Sequence, residues 1–444
     1  MKGRKASVLN SSSRKVPSKR AAARRQKPAK TAGAATPKSH SAPLRRPAAA
    51  SSRKKQARKP KLARKTKPAV RVSSFSRALK GDISTVLVTG ATGSVGVFLV
   101  RQLLREGYEV VAVDRKILGQ TNPFIEVKKG LLLKSGDLTN RAFVSSCLGR
   151  VDAVFHLPVY TESRKALPDV SFPVQGTLNL CEEARRNGVR RFVHVGSGMI
   201  YKRSLGSVDE SAPLEARNEY EQSQILAERI ALNDAPPGLP VVTVLRTAPI
   251  YGPRCMDQMA AVATLPPLVK ALGPYYLRLS GGSRMNLAHA EDVARAAIFL
   301  LLHPKAHGQV FNIADNDPRA FGDFVNQAME AYGLRPLRPR VPYPPSTLLQ
   351  SILPHAGTEE IFNPLSHLSS LLWDRMARKH KLIRALSPRI DPETVSFGAH
   401  DLLLDNRKLL GLGFRLKYPA FVKGWKETLD WYVAERWLPR PQSL

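Results

Sequence analysis

Apolar positions along this chain fall into short runs and helical stripes that alternate from residue 84 onward. Ser84-Thr85-Val86-Leu87-Val88-Thr89 is an apolar run of strand length, the pattern of a strand covered on both faces. After a glycine-rich turn, Val97, Leu99, Val100, Leu103 and Leu104 recur at helical spacing until Gly107. Residues 109–114 read as a second strand closed by Asp114. Further strands are expected at 131–134, 153–156, 191–195 and 241–245, with helices at 141–148, 176–187 and 220–232. Such alternation predicts an α/β fold with a doubly wound parallel sheet. Residues 275–279 and 309–314 read as strands of a smaller lobe expected from Thr264 onward. The expected division is therefore 83–263 for the sheet domain and 264–444 mainly for the lobe, with a variable insertion at about 337–395.

The turn between the first strand and its helix is Gly90-Ala91-Thr92-Gly93-Ser94-Val95-Gly96. Three glycines at this spacing are a weak signal alone, but here a strand precedes, a helix follows and an acid stands about 20 residues on. The first glycine permits a tight turn, and the others let backbone approach a pyrophosphate at the helix N-terminus. Asp114 can accept both ribose hydroxyls of NAD and repel the 2′-phosphate of NADP, a preference that Arg115 beside it weakens. This is the signature of a Rossmann-type domain holding a dinucleotide, NAD ahead of NADP.

Charge changes the picture at the N-terminus. Residues 1–80 hold 26 of the 70 lysines and arginines and none of the 35 acids, leaving 44 bases against 35 acids elsewhere. Residues 1–82, rich in Lys, Arg, Ala and Pro, have little to bury and read as a disordered tail. Its charge would attract nucleic acid or another polyanion without sequence preference. A solvated tail without a partner and a transit peptide are the other readings, although Pro and Lys interrupt any amphipathic helix. Cys147, Cys181 and Cys255 match no metal-ligand spacing and suit a reducing compartment. No apolar run reaches the roughly 18 residues of a membrane span. A cytoplasmic protein without metal or transmembrane segment is expected, with the tail as a route to the nucleoid.

Several segments together resemble the extended short-chain dehydrogenase/reductase superfamily, which includes NAD-dependent epimerases, dehydratases and 3β-hydroxysteroid dehydrogenase-like proteins. Thr89 to Gly96 is similar to its T-G-x-x-G-x-x-G, and Gly136-Asp137-Leu138 to its adenine-contacting G-D-L turn. Phe155-His156-Leu157 resembles the strand leading to the nicotinamide side, and Val195 to Tyr201 the segment bearing the catalytic serine, here Ser197. Leu245 to Pro253, containing Thr247, is similar to L-R-P-x-x-x-Y-G-P, and Ala288 to Ala294 to V-H-V-x-D-V-A. The resemblance implies cofactor contacts at Gly90, Thr92, Gly93, Ser94, Val95, Gly96, Asp114, Arg115, Asp137, Leu138, Leu157, Tyr220, Gln224 and Thr247. It also implies a small-molecule substrate, a sugar nucleotide or sterol-like compound, and a homodimer.

The centre departs from the family. Its Y-x-x-x-K corresponds to Tyr220-Glu221-Gln222-Ser223-Gln224, so glutamine stands at the lysine position. Tyr220 and Gln224, four apart on a helix, still share a face. A tyrosine titrates at about 10, and without a neighbouring ammonium its phenolate is on the order of a thousandth of the total at neutral pH. General acid–base catalysis, worth roughly 10²–10⁴-fold, is what this substitution puts at stake. Leu157-Pro158 departs from the family's small residues at the nicotinamide side, and Gly196 from its common serine. Two readings stand open. One is an NAD-dependent oxidoreductase, epimerase or dehydratase with catalytic Ser197, Tyr220 and Gln224. The other is a catalytically impaired dinucleotide-binding regulator whose tail meets nucleic acid. In the lobe, Arg278 and Arg284 are candidate contacts for an anionic substrate. The helices of 337–395 either cap the cleft or lie on a membrane.

Overall fold

Because its strands are apolar on both faces, the alternating half of the chain folds as one covered sheet. The computed structural model describes residues 83–115, 122–127, 129–158, 171–204, 206–233, 240–256, 258–343, 358–383, 386–388, 397 and 400–444. The basic tail therefore lies outside the described residues. The longer strands are β1 (Thr85–Thr89), β2 (Glu109–Asp114), β3 (Leu131–Ser135), β4 (Ala153–His156), β5 (Arg191–Ser197), β6 (Val241–Thr247), β7 (Tyr275–Ser280), β8 (Val310–Ile313) and β9 (Arg335–Pro342). The longer helices are α1 (Ser94–Arg105), α2 (Arg141–Cys147), α3 (Ser171–Arg186), α4 (Glu219–Asn233), α5 (Gln258–Leu272), α6 (Ala290–Leu302), α7 (Phe321–Ala331), α8 (Thr358–Lys379) and α10, the last named after the short α9 (Arg407–Gly411) and spanning Phe421–Ala434.

Seven strands form one sheet in the order β8-β6-β5-β4-β1-β2-β3, every neighbouring pair parallel. Alternate residues serve opposite faces. Val86, Val88, Ala112, Phe155 and Val193 join Leu99, Val100, Leu103, Val293 and Ala297 of α1 and α6. Leu87, Val111, Val154 and Phe192 join Val144, Leu180, Ala184 and Ala231 of α2, α3 and α4. A separate aromatic core, with Tyr251, Phe324, Phe421, Trp425 and Tyr432, fills the smaller lobe. The strand order reverses between β1 and β4, which opens a crevice at their C-terminal ends.

Several expectations need correction. Helix α3 begins at Ser171, not 176, because Pro173 sits in its first turn, where a missing N–H costs nothing. The expected boundary after residue 263 falls inside α5, a continuous helix of 15 residues. The strand β8, expected in the lobe, pairs with β6 from Val310↔Val244 to Ile313↔Thr247 and closes the central sheet. Within 337–395, β9 pairs with β7, and α8 buries Trp373 and Met376 in the lobe core. The remainder of that stretch is partly outside the described residues.

Just beyond β8 lies Asp315, buried at the junction with the lobe. Its Oδ1 accepts the amides of Leu287 and Asp317, while Oδ2 has no partner. Burial pushes its carboxyl up to about 8. A folded state that holds this proton more tightly than the unfolded chain loses stability as pH rises from about 4 to about 8. Asp315→Asn is expected to flatten that slope, raising stability at pH 8 relative to wild type with little change at pH 4. Urea midpoints across this range check it, and an unchanged slope contradicts it.

Candidate functional site

The loops at the C-terminal ends of β1, β4, β5 and β6 surround a cavity of about 1550 Å³. Gly90, Thr92 to Gly96, Leu157, Ser197, Tyr220, Gln224 and Thr247 all line it. Asp114, Arg115, Asp137 and Leu138 stand outside its wall.

The glycine turn is built by close backbone contact. Gly90 has φ 64°, and its carbonyl accepts the Gly93 amide at 3.1 Å. A Cβ on Gly96 would lie 2.2 Å from the Gly90 oxygen and 2.8 Å from the Ala91 backbone. Asp114 is engaged in the turn: its Oδ2 accepts the Thr92 amide at 2.9 Å and the Thr92 hydroxyl at 2.6 Å. Its Oδ1 accepts the Arg115 amide. The carboxylate thus braces the loop and keeps lone pairs for hydroxyl donors. Arg115 faces Asp137 across 3.9 Å, and Asp137 in turn accepts the Thr139 amide and hydroxyl. A guanidinium drawn toward that acid is a weaker partner for a 2′-phosphate, which favours NAD. The Leu138 carbonyl accepts from Asn179, so α3 holds the G-D-L turn in place.

A buried relay fixes the end of β4. The Thr177 hydroxyl donates to the Pro173 carbonyl and contacts His156 Nε2, while His156 Nδ1 meets the Thr89 hydroxyl at 2.8 Å. The Leu157 amide donates to the same Thr89 oxygen. These contacts are consistent with a neutral His156 protonated on Nε2. Burial, and then His194 nearby, hold its pKa well below the ordinary range. Leu157 is set in the cavity wall by this chain, which sequence reasoning did not detect.

Ser197 and Thr247 are longer-strand residues than expected, paired as the last rungs of β5 and β6. Ser197 Oγ accepts the Met199 amide at 3.1 Å, and Thr247 Oγ1 donates to the Gly196 carbonyl. Asn218 caps α4 by accepting the Glu221 amide, which puts partly buried Tyr220 in the helix's first turn. One turn on, Gln224 is 3% exposed and its Nε2 has no hydrogen-bond partner, although it lines the cavity. A second turn on, Glu228 forms a paired contact with Arg246, at 2.9 Å to Nε and 2.6 Å to Nη2. Arg246 also donates to the Tyr201 hydroxyl, which donates to Asn312. Beside Glu228, buried His194 has neither ring nitrogen partnered, and burial lowers its pKa to about 4.

The cavity's cations are not those expected. Arg101, Lys202, Arg203, Arg217 and Arg254 line it, whereas Arg278 and Arg284 do not. Arg217 was legible in outline, since Arg217 and Glu221 stand four apart and form an ion pair at 2.7 Å. Arg254 adopts φ 67°, uncommon for a side chain of its size, and its Nε is buried without a partner. Among the described residues no group of His, Cys, Asp and Glu could hold a metal, and no helix is long and apolar enough to cross a membrane.

Residues 86–314 match the NAD dependent epimerase/dehydratase family. The chain is 36% identical over 179 residues to sterol demethylase protein B of Methylococcus capsulatus, covering 38% of this chain and 52% of that protein. It is 29% identical over 272 residues to 3-beta-hydroxysteroid dehydrogenase of Mycolicibacterium neoaurum, covering 57% of this chain and 72% of that one. The first of these matches thus spans about half the relative's length. Among solved structures, MoeE5 in complex with UDP-glucuronic acid and NAD superposes with a TM-score of 0.57 at 25% identity, over 80% of this chain and all of that one.

Proposed function

Because the chain belongs to the NAD-dependent epimerase/dehydratase family, we propose that it is an NAD-dependent enzyme that acts at a hydroxyl or carbonyl carbon of a sugar-nucleotide or sterol-like substrate. The observation that carries this reading is the unpartnered, buried amide of Gln224, which faces the same cavity as the glycine turn, Ser197 and Tyr220. A buried donor without an acceptor is costly, and a ribose hydroxyl supplies the missing partner. Bound NAD⁺ supplies a hydride acceptor. Ser94 to Gly96, in the first turn of α1, would present amides to the pyrophosphate, and Asp114 would receive ribose hydroxyls. Ser197, its oxygen already accepting from Met199, is left with its proton to donate to a substrate oxygen. Tyr220 exchanges the proton with the reacting hydroxyl, and Gln224 holds the cofactor ribose.

Gln224 also favours a second reading, a dinucleotide-binding regulator with little turnover, since it offers Tyr220 no charge. In either case residues 1–80 serve as a polyanion-binding arm. Their 26 bases without an acid support this, and with it association with the nucleoid.

Calorimetry with NAD⁺ and spectrophotometric hydride transfer with nucleotide sugars and 3β-hydroxysteroids test the proposal. Gln224→Leu is expected to weaken NAD⁺ roughly 3–10-fold, the worth of one neutral hydrogen bond. Tyr220→Phe should cut turnover roughly 10²–10⁴-fold. Folded protein that takes up no NAD⁺ overturns the first reading. Turnover found only after Gln224→Lys shifts the balance to the second.

A further inference from the structure

The smaller lobe has an outward face of leucines and arginines that the proposed chemistry does not use. β7 turns Tyr276 into the lobe core, so its neighbours Tyr275 and Leu277 point outward. β9 runs beside it in parallel, with Arg335 level with Tyr275 and Leu337 level with Leu277. All eight residues of β9 are exposed. The Arg335 amide donates to the Pro274 carbonyl, which holds the start of β9 against the turn that follows α5. Leu272, the last residue of α5, is 83% exposed, and Leu277 is 57% exposed. A lone exposed leucine is ordinary on a protein surface. Here three leucines and a tyrosine gather on two paired strands and the helix end that leads into them.

The polar groups around them carry one sign. Residues 270–280 and 335–343 contain Lys270, Arg278, Arg335, Arg338 and Arg340 and no acid. The side chains of Arg335, Arg338 and Arg340 make no ion pair among the described residues. Glu330, at the end of α7, accepts the Tyr276 hydroxyl on the inward side of β7.

Several partners fit this face poorly. The amides of Arg335 and Tyr343 donate toward β7, so those of residues 336 and 342 would point to the free edge of β9. Both are prolines, which leaves an added strand without these donors. A second copy of the face, or the basic N-terminal residues, would set arginine against like charge. Nucleic acid would engage the arginines and leave the leucines in water. An anionic lipid surface takes both: leucine and tyrosine enter the headgroup boundary, while arginine lays its apolar stem there and its guanidinium among the phosphates.

We propose that this face of the lobe docks on an anionic membrane surface, with Leu272, Tyr275, Leu277 and Leu337 at the lipid boundary and Arg335, Arg338 and Arg340 among the headgroups. Docking is separate from turnover, since none of these residues lines the cavity.

The test uses the full chain carrying a polarity-sensitive fluorescent label on Leu272→Cys; the native Cys147, Cys181 and Cys255 are all buried. The same label on Gly149→Cys, where a Cβ meets nothing within 4 Å, is the control. Because residues 1–80 should draw the chain to any anionic vesicle, the readout is the label's surroundings and not sedimentation. With vesicles of phosphatidylcholine and phosphatidylglycerol, the Leu272→Cys label is expected to shift to the blue and to be quenched by bromines on the acyl chains. Phosphatidylcholine alone, and the control label, should give no response. Replacing Arg335, Arg338 and Arg340 together by Glu should lower the ratio of inserted to free label by at least roughly 10²-fold, from about fivefold for each base near an anionic surface. Leu277→Asp with Leu337→Asp should abolish the quenching, and NAD⁺ uptake should be unchanged in both variants. A label that ignores anionic vesicles, responds equally at both positions, or keeps its response in the triple variant overturns the proposal. A blue-shifted label before lipid is added means that another segment of this chain or a second copy already covers the face. The same shift with RNA or polyglutamate means that charge alone is recognised. Either result also overturns it.

Discussion

Arg246→Met is expected to destabilise the fold by about 3–5 kcal/mol, the usual loss when one member of a buried ion pair is removed. The side chains of Arg246 and Glu228 are 6% and 3% exposed, so the Glu228 carboxylate would be left charged, dry and unpaired. Burial works against the Arg246 charge, yet contact with Glu228 and Tyr201 raises its pKa above the ordinary range. The guanidinium also lies 4.9 Å from the centre of the Tyr201 ring, and that contact goes with it. Because Glu228 shares a helix face with Tyr220 and Gln224, its release loosens the helix that sets both. Urea unfolding measures the loss. Arg246→Met combined with Glu228→Leu should recover much of it, since an apolar pair of similar volume often replaces a buried ion pair without cost. A single-variant loss below about 1 kcal/mol means that the pair is not the dry contact described.

Gly96→Ala should have the largest effect on the cofactor. Its methyl group would meet the Gly90 carbonyl and Ala91 backbone, which have no rotamer to move away. Relief requires a shift of the glycine turn or of α1 itself, and displacement on the order of 1 Å at a preorganised site costs roughly 10²-fold. Overpacking adds about 1–3 kcal/mol of destabilisation. Gly149→Ala is the control, since a Cβ there meets nothing within 4 Å. Calorimetry with NAD⁺ compares the two. If Gly96→Ala binds as wild type does, the amides of this turn do not cradle the pyrophosphate.

How much of this was legible in the chain depended on how local each cause is. The strands β1 to β6 and the helices between them follow from runs of Val, Leu and Ile punctuated by glycine and acid, and their ends came within a few residues. The cavity also gathers the glycine turn with Ser197, Tyr220, Gln224 and Thr247, all named from motifs. β8 was recognised as a strand but misplaced, because a four-residue run with Val310, Phe311 and Ile313 around Asn312 does not by itself say which sheet it joins. Its place is decided by pairing with β6, a tertiary fact. The relay from Thr89 through His156 to Thr177 joins residues 67 and 21 apart, beyond any window of pattern reading. For the same reason the cations were misjudged: Arg203 and His400 meet only when Leu403 pairs with Ser207. Asp114 was read as a ribose ligand, and its bracing of Thr92 depends on how closely β2 approaches the loop.

The late arrival of β8 has a consequence for how the chain is made. Emerging from the ribosome in order, β1 to β6 can assemble while β6 still presents a bare row of amides and carbonyls along Val241–Thr247. That edge stays open until the segment around Phe311 has been synthesised, after the start of the lobe. During this interval the nascent protein is an unfinished sheet with an adhesive border, the situation in which chaperones are most needed.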